Sequence, residues 1–328
     1  MKRSCTTHSK EYWEETAAGY DEDVFVVWKE CATTVLEDAL TFASENFDAD
    51  GDECCVDFGT GCGKALPFLA DHFTRVVGLD HSPKLIRAAA AFCDDQLGGC
   101  SSEKKKKKTT KKKVEAAPRM PMVAVSDLST GKSVRGLVNS TVRASSASNI
   151  AKYIRITRGV CCNVLLSPSL DTRQAILATI HASMEKGGIL LCIAPSLESK
   201  LFMESLLRRW DSEEASESGI ASLPCKPYSL SSSVESQTPR GGQRGRRARR
   251  LVLNDVLNGV LPAGGTPTCH YLAAQLESEL GEAGFRLVGD VKKVSYNLST
   301  EFLCDTPAWM RKSHVSKPWD WLAIAQKV

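Results

Sequence analysis

ECCVDFGTGCGK, residues 53–64, is a short apolar run that breaks into glycine at every second position from Gly59 to Gly63. The apolar half, Glu53–Phe58, has the length of a buried strand, and Lys64–Phe73 follows at helical spacing. The glycines therefore stand where a strand hands over to a helix. Without a Cβ they let the backbone approach a ligand that side chains would exclude, and the helix N-terminus offers that ligand unsatisfied N–H groups. Arg75–Leu79 (RVVGL) predicts a second buried strand, with Asp80 at its end, placed to accept hydrogen bonds from both hydroxyls of a ribose. One nucleoside ligand can touch both features. Tight turns call for glycine in any case, so the turn alone has a purely structural reading; the second strand ending in an aspartate tips the balance. A dinucleotide fingerprint would need glycine at position 64, which is lysine, and its strand would open the domain, so hydride transfer is demoted.

Working outward, Ser82-Pro83 pairs a hydroxyl N-cap with proline at the first helical position and opens a helix that runs to Phe92. On the N-terminal side, aromatic and apolar positions at helical spacing over 11–47 predict two helices before the first strand. Residues 98–119 contain KKKKKTTKKK, whose like charges repel and which has almost nothing to bury, so a disordered insertion is expected there. Met122–Val125 resumes as a strand leading to Asp127, while 129–158 has no decided element. Asn163–Leu166 reads as the fourth strand, Asp171–Met184 as a helix, Gly188–Ala194 as a strand and Leu201–Trp210 as a helix. A second insertion, 212–250, is rich in Ser, Gly and Pro and ends in RGGQRGRRARR. Tyr271–Ala283 predicts a helix capped by Gly284, and Phe285–Tyr296 and Trp321–Val328 are strand-like. Strands alternating with helices, closed by a late strand pair, indicate an α/β fold with a mostly parallel, doubly wound sheet and an antiparallel edge, in one domain over 1–328.

Composition narrows the function. The 328 residues are 42% hydrophobic and 25% charged, and the formal charge of +3 is too small to argue for nucleic acid as a partner of the whole protein. The 13 cysteines are scattered without paired CxxC motifs, so neither a disulfide framework nor a metal site is expected. The opening MKRSCTTHSKEYWEE lacks the apolar run of a signal peptide, and no stretch is long and apolar enough to cross a membrane. An intracellular, cytoplasmic location is expected, with the basic runs as a route to the nucleus. Nothing in the sequence sets an oligomeric state.

DFGTGCGK, VVGLDHSPKLI and EKGGILLCIAPS together resemble the motifs of class I S-adenosylmethionine-dependent methyltransferases, and EYWEETAAGYDE looks like the segment that often precedes them. The likeness covers nearly the whole chain apart from the two insertions. It implies a seven-strand sheet whose last two strands form an antiparallel hairpin at one edge. It also implies S-adenosyl-L-methionine as cofactor. By that resemblance Gly59, Gly61 and Gly63, with Thr60 between them, line the methionine part. Asp57 holds the turn or the ammonium group, Asp80 binds the ribose and His81 lies beside the adenosine. Asp127 with Leu128 matches the position after the third strand that recognises adenine; a helix cap is the plainer reading of that aspartate. Ser167, at the end of NVLLSPSL, faces the cofactor. No NPPY and no Cys nucleophile motif appears there, which argues against the adenine- and glutamine-modifying branches.

A sulfonium already activates its methyl group, so the protein mainly has to align an acceptor for in-line attack and exclude water. A catalytic residue is not identified; Tyr12, Tyr20, His181, His270 and Tyr296 are nonspecific candidates for taking a proton. The expected acceptor is a small molecule or a protein side chain or chain end. By the resemblance its pocket would be roofed by Tyr12–Tyr20, Ser167–Leu170 and Pro195–Leu201, which together mix aromatics with few charges. Nucleic acid is the less favoured partner, because the two basic runs carry few aromatics for stacking and no device for extruding a base is visible. A cofactor-binding scaffold without catalysis is the other alternative.

Overall fold

The computed structural model describes residues 10–17, 28, 34–45, 47, 52–98, 120–145, 153–206, 256–263, 266–296 and 317–328. Among the described residues, helices α1 (Lys10–Thr16) and α2 (Thr34–Ser44) precede the sheet. Then come β1 (Glu53–Phe58), α3 (Leu66–His72), β2 (Val76–Asp80), α4 (Pro83–Gly98) and β3 (Met122–Val125). Ser82 caps α4 as its sequence predicts, its Oγ accepting from the N–H of Leu85 at 3.2 Å. Apart from Gly98, the last residue of α4, the two expected insertions lie outside the described residues, as do Tyr20 and 207–210 of the helix expected to end at Trp210.

Among the described residues, the undecided stretch 129–158 holds most of a 3-10 turn (Leu128–Thr130), helix α5 (Arg135–Ser145) and the start of β4 (Arg155–Cys162). The fourth strand thus differs from the expected Asn163–Leu166. Arg155 and Arg158 disguise RITRGVCC as a surface segment, yet each finds partners. Arg155 Nε donates to Asp52 at 2.7 Å, and Arg158 donates to the carbonyls of Ala43 and Glu45 at the end of α2. Asn163 has a φ of 54°, which ends the strand, and 163–169 becomes a loop.

Helix α6 (Leu170–Ser183) leads to β5 (Ile189–Pro195) and a helix over 197–206, α7. A small hairpin that the sequence did not announce follows, β6 (Val260–Ala263) with β7 (Thr266–Cys269), then α8 (Ala273–Glu282). Gly284 follows it at a φ of 89°. The chain closes with β8 (Phe285–Leu287), β9 (Lys292–Ser295) and β10 (Trp319–Lys327).

The strand order is β3-β2-β1-β4-β5-β10-β8, parallel from β3 to β5 and antiparallel at β10. The sheet has seven positions, but the outermost is split: β8 pairs with Ala325–Lys327, and β9 with Trp319–Leu322. Gly289, at a φ of 79°, lies in the break between them.

Side chains alternate across the sheet, as period two requires. Cys54, Val56 and Phe58 pack under α5, α6 and α8 with Val138, Leu177 and Leu280. On the other face Cys55 packs under α2, α3 and α4 with Leu40, Leu66 and Ala89. Each such fully buried aliphatic side chain contributes roughly 1.5–3 kcal/mol. Helices on both faces make the fold doubly wound, and among the described residues no helix is long and apolar enough to cross a membrane.

Candidate functional site

In the strand order β3-β2-β1-β4 the chain winds outward in one direction from β1 and then in the other, so a crevice opens at the carboxyl ends of β1 and β4. The glycine turn fills one lip of it. Gly59, Gly61 and Gly63 all have positive φ, at 81°, 55° and 84°. Two are also required by close approach: a Cβ on Gly59 would overlap Val164 Cγ2, and one on Gly63 would lie 2.9 Å from Ala89 Cβ of α4.

Asp80 ties the turn to the end of β2. Its Oδ2 accepts from the N–H of Gly61 at 3.0 Å, and its Oδ1 from that of Ser82 at 2.9 Å. The N–H groups of Gly59 and Thr60 both donate to Leu79 O, at 2.7 and 2.8 Å. Burial raises the Asp80 carboxyl, against the pull of the Ser82 N–H, His81 and the Gly61 N–H.

Asp57 is 2% exposed. Its carboxyl is pushed up to about 7 by burial, opposed by neighbouring Thr60 and reinforced by the charge of Asp80. Asp57 Oδ2, Thr60 Oγ1 and His81 Nε2 are buried and have no hydrogen-bond partner among the described residues. Buried polar groups are almost always paired, and these three lie at the carboxyl ends of β1 and β2.

The remaining sequence candidates are placed differently. Asp127 is exposed and caps the turn that follows β3, its Oδ1 accepting from Ser129 N at 2.8 Å and Ser129 Oγ at 2.7 Å. Leu128 is buried in the core. Ser167 lies in the loop after β4, its Oγ accepting from Ser169 N and its carbonyl from Arg173 Nη1. His181 sits near the opposite edge of the sheet, where Lys327 Nζ, at the end of β10, donates to its carbonyl. His270 Nδ1 lies 3.0 Å from Thr268 O, and Tyr12 packs edge-on against Trp13 at 4.9 Å. Tyr296 is buried, its N–H donating to Pro318 O.

Two features escaped the sequence reading. Glu14 of α1 docks on the first turn of α4, its Oε1 accepting from Ser82 Oγ at 2.7 Å and Lys84 N at 3.2 Å. Asp320 is buried at the start of β10; the only signal for it was a carboxylate inside the apolar run WDWLAIA.

No curated protein matches the chain. Among solved structures it is similar to a S-adenosylmethionine-dependent methyltransferase from Anabaena variabilis at 14% identity and a TM-score of 0.50, covering 97% of this chain and 93% of that one. A protein solved in connection with conversion of a disulfide bond into a thioacetal group in echinomycin biosynthesis gives 15%, 0.50, 98% and 92%. Magnesium protoporphyrin IX methyltransferase from Synechocystis PCC 6803, with S-adenosylhomocysteine bound, gives 12%, 0.48, 98% and 100%. At such identities the first two likenesses show the fold alone. The family is shown by sequence: a methyltransferase domain profile matches residues 27–289. With that match over most of its length, and a crevice of the form that the fold requires, the chain belongs to the class I S-adenosylmethionine-dependent methyltransferases.

Proposed function

We propose that the crevice over β1 and β2 is the cofactor site and that the acceptor is a small molecule or a protein side chain or chain end. The observation that carries the first part is the trio of unpartnered buried atoms on Asp57, Thr60 and His81. A carboxylate with a free oxygen fits the ammonium group of the cofactor's methionine, and Thr60 and Gly61 frame its approach. Asp80 keeps lone pairs beyond those given to Gly61 and Ser82, which fit ribose hydroxyls. Asp127 and Leu128 at the adenine end, and Ser167 on the acceptor side, complete the assignment. When bound, S-adenosylmethionine supplies an activated methyl group; the chain's part is to bind it, orient the acceptor and exclude water. The acceptor class rests on the aromatic, weakly charged roof segments. Methyl-labelled cofactor given to fractionated metabolites, proteins and RNA tests it: label mainly in RNA, abolished by removing the arginine-rich run, would overturn it.

Asp57 has a pH consequence. Its native carboxyl, raised from 3.8 to about 7, keeps a proton that the unfolded chain releases, so Asp57 withdraws stability as pH rises through about 7. Asp57→Asn is expected to raise the melting temperature of the ligand-free protein at pH 8, change it little at pH 4, and weaken cofactor binding. Equal melting temperatures at pH 8 would refute the buried-charge assignment.

We also read 1–328 as one domain in which 98–119 and 212–250 are dispensable, since their composition has too little apolar surface to offset ordering entropy. Shortening both should leave the melting temperature and cofactor affinity nearly unchanged. Loss of cooperative unfolding on either deletion would show a structural element there.

A further inference from the structure

Asp57 and Asp320 share a face of the sheet. Counting in twos, Asp57 follows Cys55, and Asp320 precedes Leu322, and both of those residues pack on the α2–α4 side. Asp320 pairs with Pro195, the last residue of β5, so it stands at the carboxyl edge, on the far side of β4 from the glycine turn. It is 5% exposed. The Asn163 side chain and the backbone N–H of Ser196 lie beside it and favour its ionised form. Asn163 is itself unusual. Among the described residues it is the only non-glycine with a positive φ, and its N–H is held by Ile193 O at 2.9 Å. Asparagine tolerates that conformation better than most residues, but a tight local turn still has to be held by its surroundings. The next residue, Val164, places its methyl groups against the bare backbone of Gly59, the first glycine of the turn.

We propose that Asp320 is a positioning residue of the cofactor site, acting through Asn163 to hold Val164 against Gly59 and so to fix the shape of the glycine turn. The proposal rests on the cofactor reading given above. It gives a purpose to a buried carboxylate that stands behind the end of β4, on the far side of that strand from the glycine turn. Burial drives the Asp320 carboxyl up to about 7 while those two groups favour its ionised form, so the anchor is complete above neutrality.

The test uses the full chain and S-adenosylhomocysteine as probe, with affinity read by calorimetry at pH 8, where Asp320 is mostly ionised. Asp320→Ala and Asn163→Gly, the latter keeping the backbone turn while deleting the amide, should each weaken binding about tenfold. Because both break one chain of contacts, the double variant should lose about tenfold too, and not about a hundredfold. Should Asp320→Ala lose its cooperative unfolding, Asp320→Asn takes its place in the cycle with the same non-additivity expected. Melting temperatures recorded alongside separate the roles: a lower melting temperature with unchanged affinity means that Asp320 serves only folding and overturns the proposal. Losses that multiply in the double variant overturn it as well. Failure of the wild-type chain to bind the probe overturns the cofactor site itself, which is a distinguishable result.

Discussion

Replacing Arg173 with Met is expected to lower the free energy of unfolding by about 3–5 kcal/mol, because it leaves the buried Glu279 charge without its guanidinium partner. The two side chains are 5% and 6% exposed and meet in a two-pronged contact, Nη2 to Oε1 at 2.7 Å and Nε to Oε2 at 3.1 Å. The pair joins α6 to α8 and also secures the loop after β4. Arg173 Nη1 donates to the carbonyls of Ser167 and Pro168 at 2.9 and 3.3 Å. The Tyr271 hydroxyl, within 3.3 Å of Glu279 Oε2, donates to Leu165 O at 3.0 Å. Glu279→Gln should cost less, since an amide still hydrogen-bonds. Replacing both partners with methionine should recover much of the loss, as apolar substitutes for buried pairs often do. Urea unfolding measures all three. A loss under about 1 kcal/mol for Arg173→Met, a value typical of an exposed pair, would mean that solvent reaches the contact.

Asp80→Ala should weaken binding of S-adenosylhomocysteine by at least about 100-fold. In the proposed site Asp80 makes two charge-assisted hydrogen bonds to ribose hydroxyls, each worth about 1.5–3 kcal/mol, and both are removed. The variant also frees the N–H groups of Gly61 and Ser82, so the turn loses its tie to β2. Asp80→Asn separates the contributions: it preserves the shape and one acceptor oxygen but removes the charge, and an intermediate loss is expected. Calorimetry with both variants decides it. Affinity within threefold of wild type for Asp80→Ala would place the ribose elsewhere.

Much of this fold follows from local pattern. β1, β2 and β5 are short apolar runs bounded by turn residues, and α4 has its hydroxyl cap and proline, so their existence and order could be read directly. β4 could not. RITRGVCC carries two arginines whose cost in a central strand depends on Asp52 and on the carbonyls ending α2, groups remote in sequence. NVLLSP, by contrast, is apolar enough to pass for a strand, and only the backbone of Asn163 shows that it is not one. The same limit governs the single outer position shared by β8 and β9, which exists only because β10 is long enough to pair with both.

The sequence by itself determined the doubly wound sheet, the glycine turn at Gly59–Gly63 and the aspartate at the end of β2, because strand, turn and cap propensities act over a few neighbouring residues. Only the tertiary structure decided that Asp57 is a carboxylate raised to about 7, that Asp127 caps a turn at the surface, and that Asp320 is a buried carboxylate raised to about 7 beside Asn163. Burial and hydrogen bonding are set by what the whole chain packs around a group. Asp57, Asp127 and Asp320, one residue type in three surroundings, therefore differ for reasons that no local stretch of sequence contains.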